Sequence, residues 1–472
     1  MSRGWHEEAV VRQMRLWGWI LALSLASLPP IATGQALSDA ELRSRLEAYL
    51  EPFVATGNFS GAVLVVRKDN PVLRSGYGKA SYQLGVLNIP DTRFHIASVS
   101  KPFTAAAILQ LQEQGKLSLT DFVARFVPDF PHGDRITLDH LLTHTSGIHN
   151  VNDLPDYDAF ARSPHTIAEL VAKFANLPLD FEPSANYRYS NSNYNLLALI
   201  LEKVSGETYG DYLRKHIFEP AGLHSTVHDR DAALVIPLAA SGYEPLGLND
   251  YEIAPYLDWS NKTGNGSLVS TVDDLYRFSQ AIRYGKILKD ATVKKYLVEG
   301  RGNRYGWFMR SRYGHRAMSS NGRSPGFTSE LDVFPDDDIT LIVLSNSYAS
   351  VSQDPIADGL AAILLGQQPP AVPTMTGVSV PQTVLDSYAG HYQFGPDYFV
   401  PNGKATVKAE AGYLVLELNS FRTPLVPIST MEFLDRNFFG RLTVEKNGDG
   451  SVKTLTYRYS GREFIAQRIE SK

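Results

Sequence analysis

The feature that most constrains this chain is where its strand-like runs fall. One pair lies near the start of the folded sequence, a second pair near residue 330, and helical patterns occupy the stretch between. SGAVLVVRKDNPVLRSGYGKASYQ (60–83) carries two β-rich runs around a Lys-Asp-Asn-Pro turn, the pattern of a hairpin. FTSELDVF and ITLIVLSN form a second pair, joined by Pro335-Asp336-Asp337-Asp338. The three adjacent aspartates read as a solvated turn rather than a calcium loop. In KPFTAAAILQLQEQGKL, Phe103, Ala106, Leu109 and Leu111 fall close to one helical face and Gly115 supplies the stop. Leu196, Leu197, Ile200 and Val204 form an apolar stripe in SNYNLLALILEKVSG. A further helix starts at Thr271, with Asp273 and Asp274 suiting its positive N-terminal end. Strand-rich ends around a helical middle predict an α/β unit in which the first and last strands share one sheet.

That unit ends where composition changes. GQQPPAVPTMTGVSVPQ (366–382) is rich in proline and short of charge, so residues 369–382 read as a linker closing a domain that begins at residue 37. Beyond it, YAGHYQF, KATVKAEAGYLVLEL, FFGRLTVEK and TLTYRYSG alternate like antiparallel strands, and residues 383–472 are expected to form a small β domain. At the other end, Arg12 and Arg15 precede the apolar run Leu16–Leu28, then a Pro pair and small residues. Residues 1–36 therefore read as a secretory signal, with Met14 an alternative start and cleavage after Gly34 or Ala36. A run of this length is too short to span a bilayer, so no stable membrane insertion is expected after cleavage. The chain has no cysteine, which fits a periplasmic or secreted protein that does without disulfides. A net charge of −5 offers no basic excess for nucleic acid, so the expected partner is a small molecule or short peptide.

Three constellations can carry chemistry. In RFHIASVSKPFTA, Ser98 and Lys101 are three apart at a helix start, a spacing that puts both on one face. Serine is a weak nucleophile until a base takes its proton, and lysine serves as base only when burial or the helix terminus lowers its pKa. Ser100, the neighbouring hydroxyl, points to a different side. In NYRYSNSNYN, Tyr189 and Asn191 can enter a cleft from one loop, one to relay a proton and the other to orient Lys101 or a substrate carbonyl. In HLLTHTSG, His140 and His144 have the i, i+4 spacing of metal ligands. Leu141 stands where an HExxH motif has glutamate and no acidic third ligand is near, so both are read as structural and neither metal nor cofactor is expected.

Taken in order, PDTRFHIASVSKPFTA, ITLDHLLTHTSGI, YRYSNSNYNLLALILEKVSG, the PAGL element (220–223), GSLVSTVDDLYRF and SPGFTSELDVF resemble the serine β-lactamase and penicillin-binding DD-peptidase superfamily, in its class C-like branch. The resemblance runs from about residue 59 to residue 346 and implies an antiparallel sheet flanked by helices plus a mostly helical subdomain. The C-terminal β domain resembles the lipocalin-like, barrel-like appendages of some of these hydrolases. What the superfamily implies for roles is Ser98 as nucleophile, Lys101 and Tyr189 sharing the proton transfers, and Asn191 contacting substrate. The residues themselves lead to the same set: Ser98 attacks a carbonyl, an acyl-enzyme forms, and water releases it. The small ester, amide, D-amino-acid peptide or lactam is the substrate class implied. A non-catalytic module binding peptidoglycan or another ligand is the alternative, and the intact set of Ser98, Lys101, Tyr189 and Asn191 argues against it.

The superfamily's third box, commonly KTG or HxG, is matched twice. A literal KTG at Lys262–Gly264 precedes GSLVS and a helix, the wrong context. Alignment on SPGFTSELDVF puts Ser320-Asn321-Gly322 in the box, with Ser320 replacing the usual cationic or aromatic residue. Gly322 permits close backbone approach, the N–H of Arg323 is the expected second oxyanion donor beside that of Ser98, and the Arg323 side chain is a candidate for a substrate carboxylate. The same stretch contains GRSPG, a GxSxG match centred on Ser324. A nucleophile elbow needs a helix after its serine, whereas Pro325 and a strand pattern follow here, so Ser324 is read as structural.

Overall fold

The computed structural model describes residues 37–470 apart from 231, 248–249, 299–301, 349–352, 374 and 420. The expected signal segment lies outside the described residues. Seven strands form one antiparallel sheet: β1 Gly61–Arg67, β2 Asn70–Tyr77, β3 Gly302–Arg304, β4 Trp307–Arg312, β5 His315–Ser324, β6 Phe327–Phe334 and β7 Ile339–Ser345. Their order is β3-β4-β5-β6-β7-β1-β2, and β1 pairs with β7 from Gly61↔Ser345 to Arg67↔Ile339, so the two sequence-remote hairpins do share a sheet. Lys68 and Asp69 both have positive φ and make the β1–β2 turn by themselves. Asn70 and Pro71, expected in the turn, belong instead to β2, where the edge position tolerates a residue with no N–H.

Both faces of the central strands are buried, which explains runs that are continuously apolar. Ala62, Leu64 and Val66 of β1, with Ile342 and Leu344 of β7, enter the larger core. Val63, Val65, Leu341 and Val343 enter a second core beneath α1 Asp39–Ala55 and, at the far end of the unit, Gln353–Leu364. The larger core holds α2 Lys101–Glu113, α3 Asn191–Ser205 and α4 Val272–Arg283, so Gln353–Leu364 is α5. The stripe read on α2 is only part of its buried surface. Every residue from Lys101 to Leu111 is buried, because α2 is enclosed on all sides; its Phe103 ring stacks on Phe278 of α4 at 3.6 Å.

The β5–β6 hairpin turns at Pro325-Gly326, with Gly326 at φ 79°, and Ser324 is a buried strand end paired with Phe327. A strand follows Ser324, so the elbow geometry is absent there. Asp336, Asp337 and Asp338 face separate partners, Arg316, His315 and Arg283.

Eight strands between Gly390 and Ile469 close into a barrel, Gly390–Phe394 pairing with both Lys404–Glu410 and Arg462–Ile469. The barrel is fastened to the preceding α/β unit by Arg436, which is 2% exposed. Its guanidinium donates to the carbonyls of Gly57 at 2.9 Å and Gly247 at 2.6 Å and to Asn58 Oδ1 at 3.2 Å. The proline-rich segment is laid against both units: Met375 is buried in the second core and Val380 in the barrel core.

Candidate active site

Ser98 lies in the 3-10 turn Ala97–Ser100 that leads into α2. Ala97 holds φ at 44°, a conformation costly for a residue with a Cβ, and it turns the Ser98 side chain out of the packed layer. Ser98 Oγ is 2.8 Å from the Tyr189 hydroxyl and 3.0 Å from Lys101 Nζ. Lys101 Nζ also donates to Asn191 Oδ1 at 2.8 Å and to the carbonyl of Asn265 at 3.0 Å. Burial, with the charge of Lys262 added, pushes the Lys101 amine well below the ordinary lysine range. A neutral amine has two N–H bonds, and two of its three neighbours are pure acceptors. Those two fix its orientation and leave the lone pair on the Ser98 hydroxyl. Burial raises the Tyr189 phenol despite the opposing hydrogen bond from Ser98, so Tyr189 stays protonated and suits a relay better than a base. Ser100 points elsewhere, as its position beside Lys101 implies: its Oγ accepts from the N–H of Leu268 at 3.1 Å.

Asn191 begins α3, and both ends of its amide are engaged: Oδ1 on Lys101, and Nδ2 donating to Asn152 Oδ1 at 2.9 Å. The structure thus puts Asn191 on the lysine, the first of the two tasks its position allows. His144 is buried and neutral, its pKa driven down to about 3 chiefly by desolvation. Its Nδ1 accepts from the Ser190 N–H at 3.2 Å, and its ring lies 4.5 Å from that of Tyr189, so it braces the tyrosine. His140 Nδ1 accepts the Thr137 N–H at 3.2 Å, within the cap of the helix Leu138–Leu142. Each imidazole already has a protein partner.

β4 pairs with β5 only as far as Phe308↔Ser319. Beyond that point β5 faces the Ser98 turn. Gly322 is the contact: a Cβ there would lie 2.4 Å from the carbonyl oxygen of Ile96 and 2.7 Å from the amide nitrogen of Ser98. Ser320 is 1% exposed and its hydroxyl donates to the Gly306 carbonyl at 3.1 Å. Ser320 and Asn321 line the cleft with Ser98, Lys101 and Tyr189. The Arg323 guanidinium instead binds Asp354 of α5 at 2.6 Å and is not part of the cleft lining. The literal KTG lies behind Lys101: Lys262 is buried with its ammonium 4.9 Å from the Tyr157 ring, and the Gly264 carbonyl accepts from Thr104 at 2.6 Å. Sequence reasoning missed Asn152, Asn265 and the cleft residues Asn303, Arg304, Trp307 and Phe308. No local pattern marks them, since the β3–β4 residues reach the cleft only through sheet pairing, and Asn152 and Asn265 meet Asn191 and Lys101 only in three dimensions.

A serine held between a buried lysine and a buried tyrosine, at the head of an enclosed helix beside an antiparallel sheet, defines the SxxK class of serine hydrolase. The family model described as Beta-lactamase matches residues 46–365. The putative penicillin-binding protein PbpX of Bacillus subtilis is 33% identical over 291 residues, 61% of this chain and 70% of that protein. A second penicillin-binding protein of that organism is 30% identical over 465 residues, 91% of this chain and 99% of its own length. Among solved structures, a D-stereospecific amidohydrolase from Streptomyces superposes with a TM-score of 0.57 at 26% identity, covering 66% of this chain and 95% of the other. The chain belongs to the beta-lactamase family and is a serine hydrolase of that family with an added C-terminal barrel.

Proposed function

We propose that this protein is an exported hydrolase that cleaves small amides or esters through a Ser98 acyl-enzyme, with D-amino-acid amides and peptides favoured over β-lactams. The observation that carries the reading is Ser98 Oγ within hydrogen-bond reach of both Lys101 Nζ and the Tyr189 hydroxyl. Neutral Lys101 takes the hydroxyl proton as Ser98 Oγ bonds to the carbonyl carbon. The resulting oxyanion is held by the N–H groups of Ser98 and Arg323, which Gly322 lets approach each other. Collapse breaks the bond to the leaving group, which receives a proton from Lys101 through Tyr189. Water, deprotonated by the same pair, then attacks the acyl-enzyme and frees Ser98. Preference for D-amides is supported by the amidohydrolase neighbour and by Ser320, which brings no charge for the carboxylate of a lactam. Export is supported by the basic and then apolar N-terminal sequence.

The test uses an activated ester, a D-alanine anilide, a chromogenic cephalosporin and a covalent serine probe on wild type, Ser98→Ala and Ser324→Ala. Labelling and turnover should vanish in Ser98→Ala alone. Retained labelling in Ser98→Ala would remove the nucleophile assignment, and a higher kcat/KM for the cephalosporin than for the anilide would reverse the substrate preference. Finding the uncleaved N-terminus on protein recovered outside the cytoplasm would refute signal cleavage.

A further inference from the structure

The barrel holds a cavity of about 200 Å³, open to solvent at one side, that shares no lining residue with the cleft at Ser98. Its wall includes Leu416, Leu418 and Leu425, and its opening carries Phe399, which is 54% exposed. An eight-stranded barrel either fills its interior with its own side chains or holds one small guest. Here the filling is incomplete. An apolar void of roughly 150 Å³ stays dry and accepts benzene, because wall atoms without neighbours forgo dispersion contacts that a fitting guest restores.

The buried polar side chains Asp435, Tyr457 and Thr423 on the cavity wall find their partners within the barrel. The Tyr457 hydroxyl donates to Asp435 Oδ2 at 2.7 Å, and Asp435 Oδ1 accepts the N–H groups of Asn437 at 2.7 Å and Phe438 at 3.2 Å. Thr423 Oγ1 accepts from Asn437 Nδ2 at 2.8 Å. Among the described residues, no fully buried side-chain donor or acceptor of the lining lacks a partner, and an anionic guest would be pressed against the Asp435 carboxyl. Chemistry and volume select the same kind of guest, apolar and about the size of a substituted ring. The exposed Phe399 ring gives such a guest an apolar surface to cross on entry.

We propose that the C-terminal barrel is a binding site for a neutral small apolar molecule, a single substituted aromatic ring or a short alkyl chain, separate from the catalytic cleft. The probe is 4-fluorotoluene, titrated into the full chain and followed by fluorine NMR, with 4-fluorobenzoate as the charged counterpart. One saturable site per chain is expected in wild type and equally in Ser98→Ala. Leu416→Phe, which fills part of the void, should weaken binding at least tenfold, and Leu425→Trp should abolish it. Wild-type ester hydrolysis and circular dichroism certify that these variants are folded; if Leu425→Trp fails that check, Leu416→Phe decides. Absence of saturable binding, or full binding in a folded filled variant, would overturn the proposal. Loss of binding in Ser98→Ala would move the site to the catalytic cleft and overturn it as well. Equal binding of 4-fluorobenzoate would overturn the neutral-ligand assignment.

Discussion

Gly322→Ala is the sharpest probe of the proposed oxyanion geometry. The added Cβ would stand 2.4 Å from the Ile96 carbonyl oxygen, where ordinary contact begins near 3.4 Å, so the two backbones must part by about 1 Å. The neighbour is backbone and cannot rotate away: Ile96 donates its N–H to the Leu268 carbonyl at 3.0 Å, and its own carbonyl accepts from Val99 N at 3.1 Å and Ser329 Oγ at 2.8 Å. Misplacing a reacting group by that distance costs on the order of 10²-fold in rate, about 2.7 kcal/mol of transition-state stabilisation. Forcing one methyl into a close-packed contact costs about 1–3 kcal/mol of stability, which leaves a protein of this size folded. The assay is kcat/KM for an activated ester, measured well below the melting temperature, beside a thermal melt of the same sample. The expected result is a loss near 100-fold, mainly in kcat, with a melting temperature lowered by a few degrees. A folded variant within threefold of wild type would show that the Gly322 contact does not set the position of Ser98.

Three other expectations follow from the same geometry. Because burial and Lys262 lower the Lys101 pKa, the neutral amine proposed as the base persists down to that lowered value, and kcat/KM should fall as pH drops through it. Lys262→Met removes a repelling charge, raises the Lys101 pKa, and should carry the acid limb of the pH profile to higher pH; a shift to lower pH would contradict the assigned base. Arg323→Ala should stay within threefold of wild type, since its half-exposed ion pair with Asp354 contributes under about 1 kcal/mol and only its backbone N–H is proposed to touch the reaction. A hundredfold loss would place the guanidinium on substrate instead. Arg436→Met leaves the carbonyls of Leu246 and Gly247 and the amide oxygen of Asn58 without this buried donor, while the Gly57 carbonyl keeps the Tyr251 hydroxyl, a loss of about 3–5 kcal/mol. Calorimetry should show a lower melting temperature and separated transitions for the barrel and the catalytic unit; an unchanged melting curve would deny Arg436 its anchoring role.

What could be read from the sequence was what short stretches determine. The β1–β2 and β6–β7 hairpins were legible because β-branched runs flank short polar turns, and the Ser98–Lys101 and Tyr189–Asn191 pairs because each lies within one local segment. The full enclosure of α2 was not legible, since a helix buried on all sides differs from a one-sided helix only in what surrounds it. Asn191 shows the same limit. Its spacing from Tyr189 is plain in the sequence, but its task depends on Asn152, which meets it only in three dimensions.

Ser320 carries the point furthest. The sequence reveals that a cation is missing from the third box, while the fold reveals where the serine hydroxyl goes instead, onto the Gly306 carbonyl. Gly306 lies so close to the start of α2 that a Cβ on it would be 2.5 Å from Pro102 N. A lysine at 320 would have to give up that bond and thread past a turn already in contact with the helix bearing Lys101. Serine at 320 is therefore matched to a β3–β4 turn pressed against α2, and the same turn brings Asn303, Arg304 and Trp307 to the cleft. The box residue and the missed residues are two consequences of one packing arrangement, and substrate preference should respond to substitutions on that turn more than to restoring a lysine at 320.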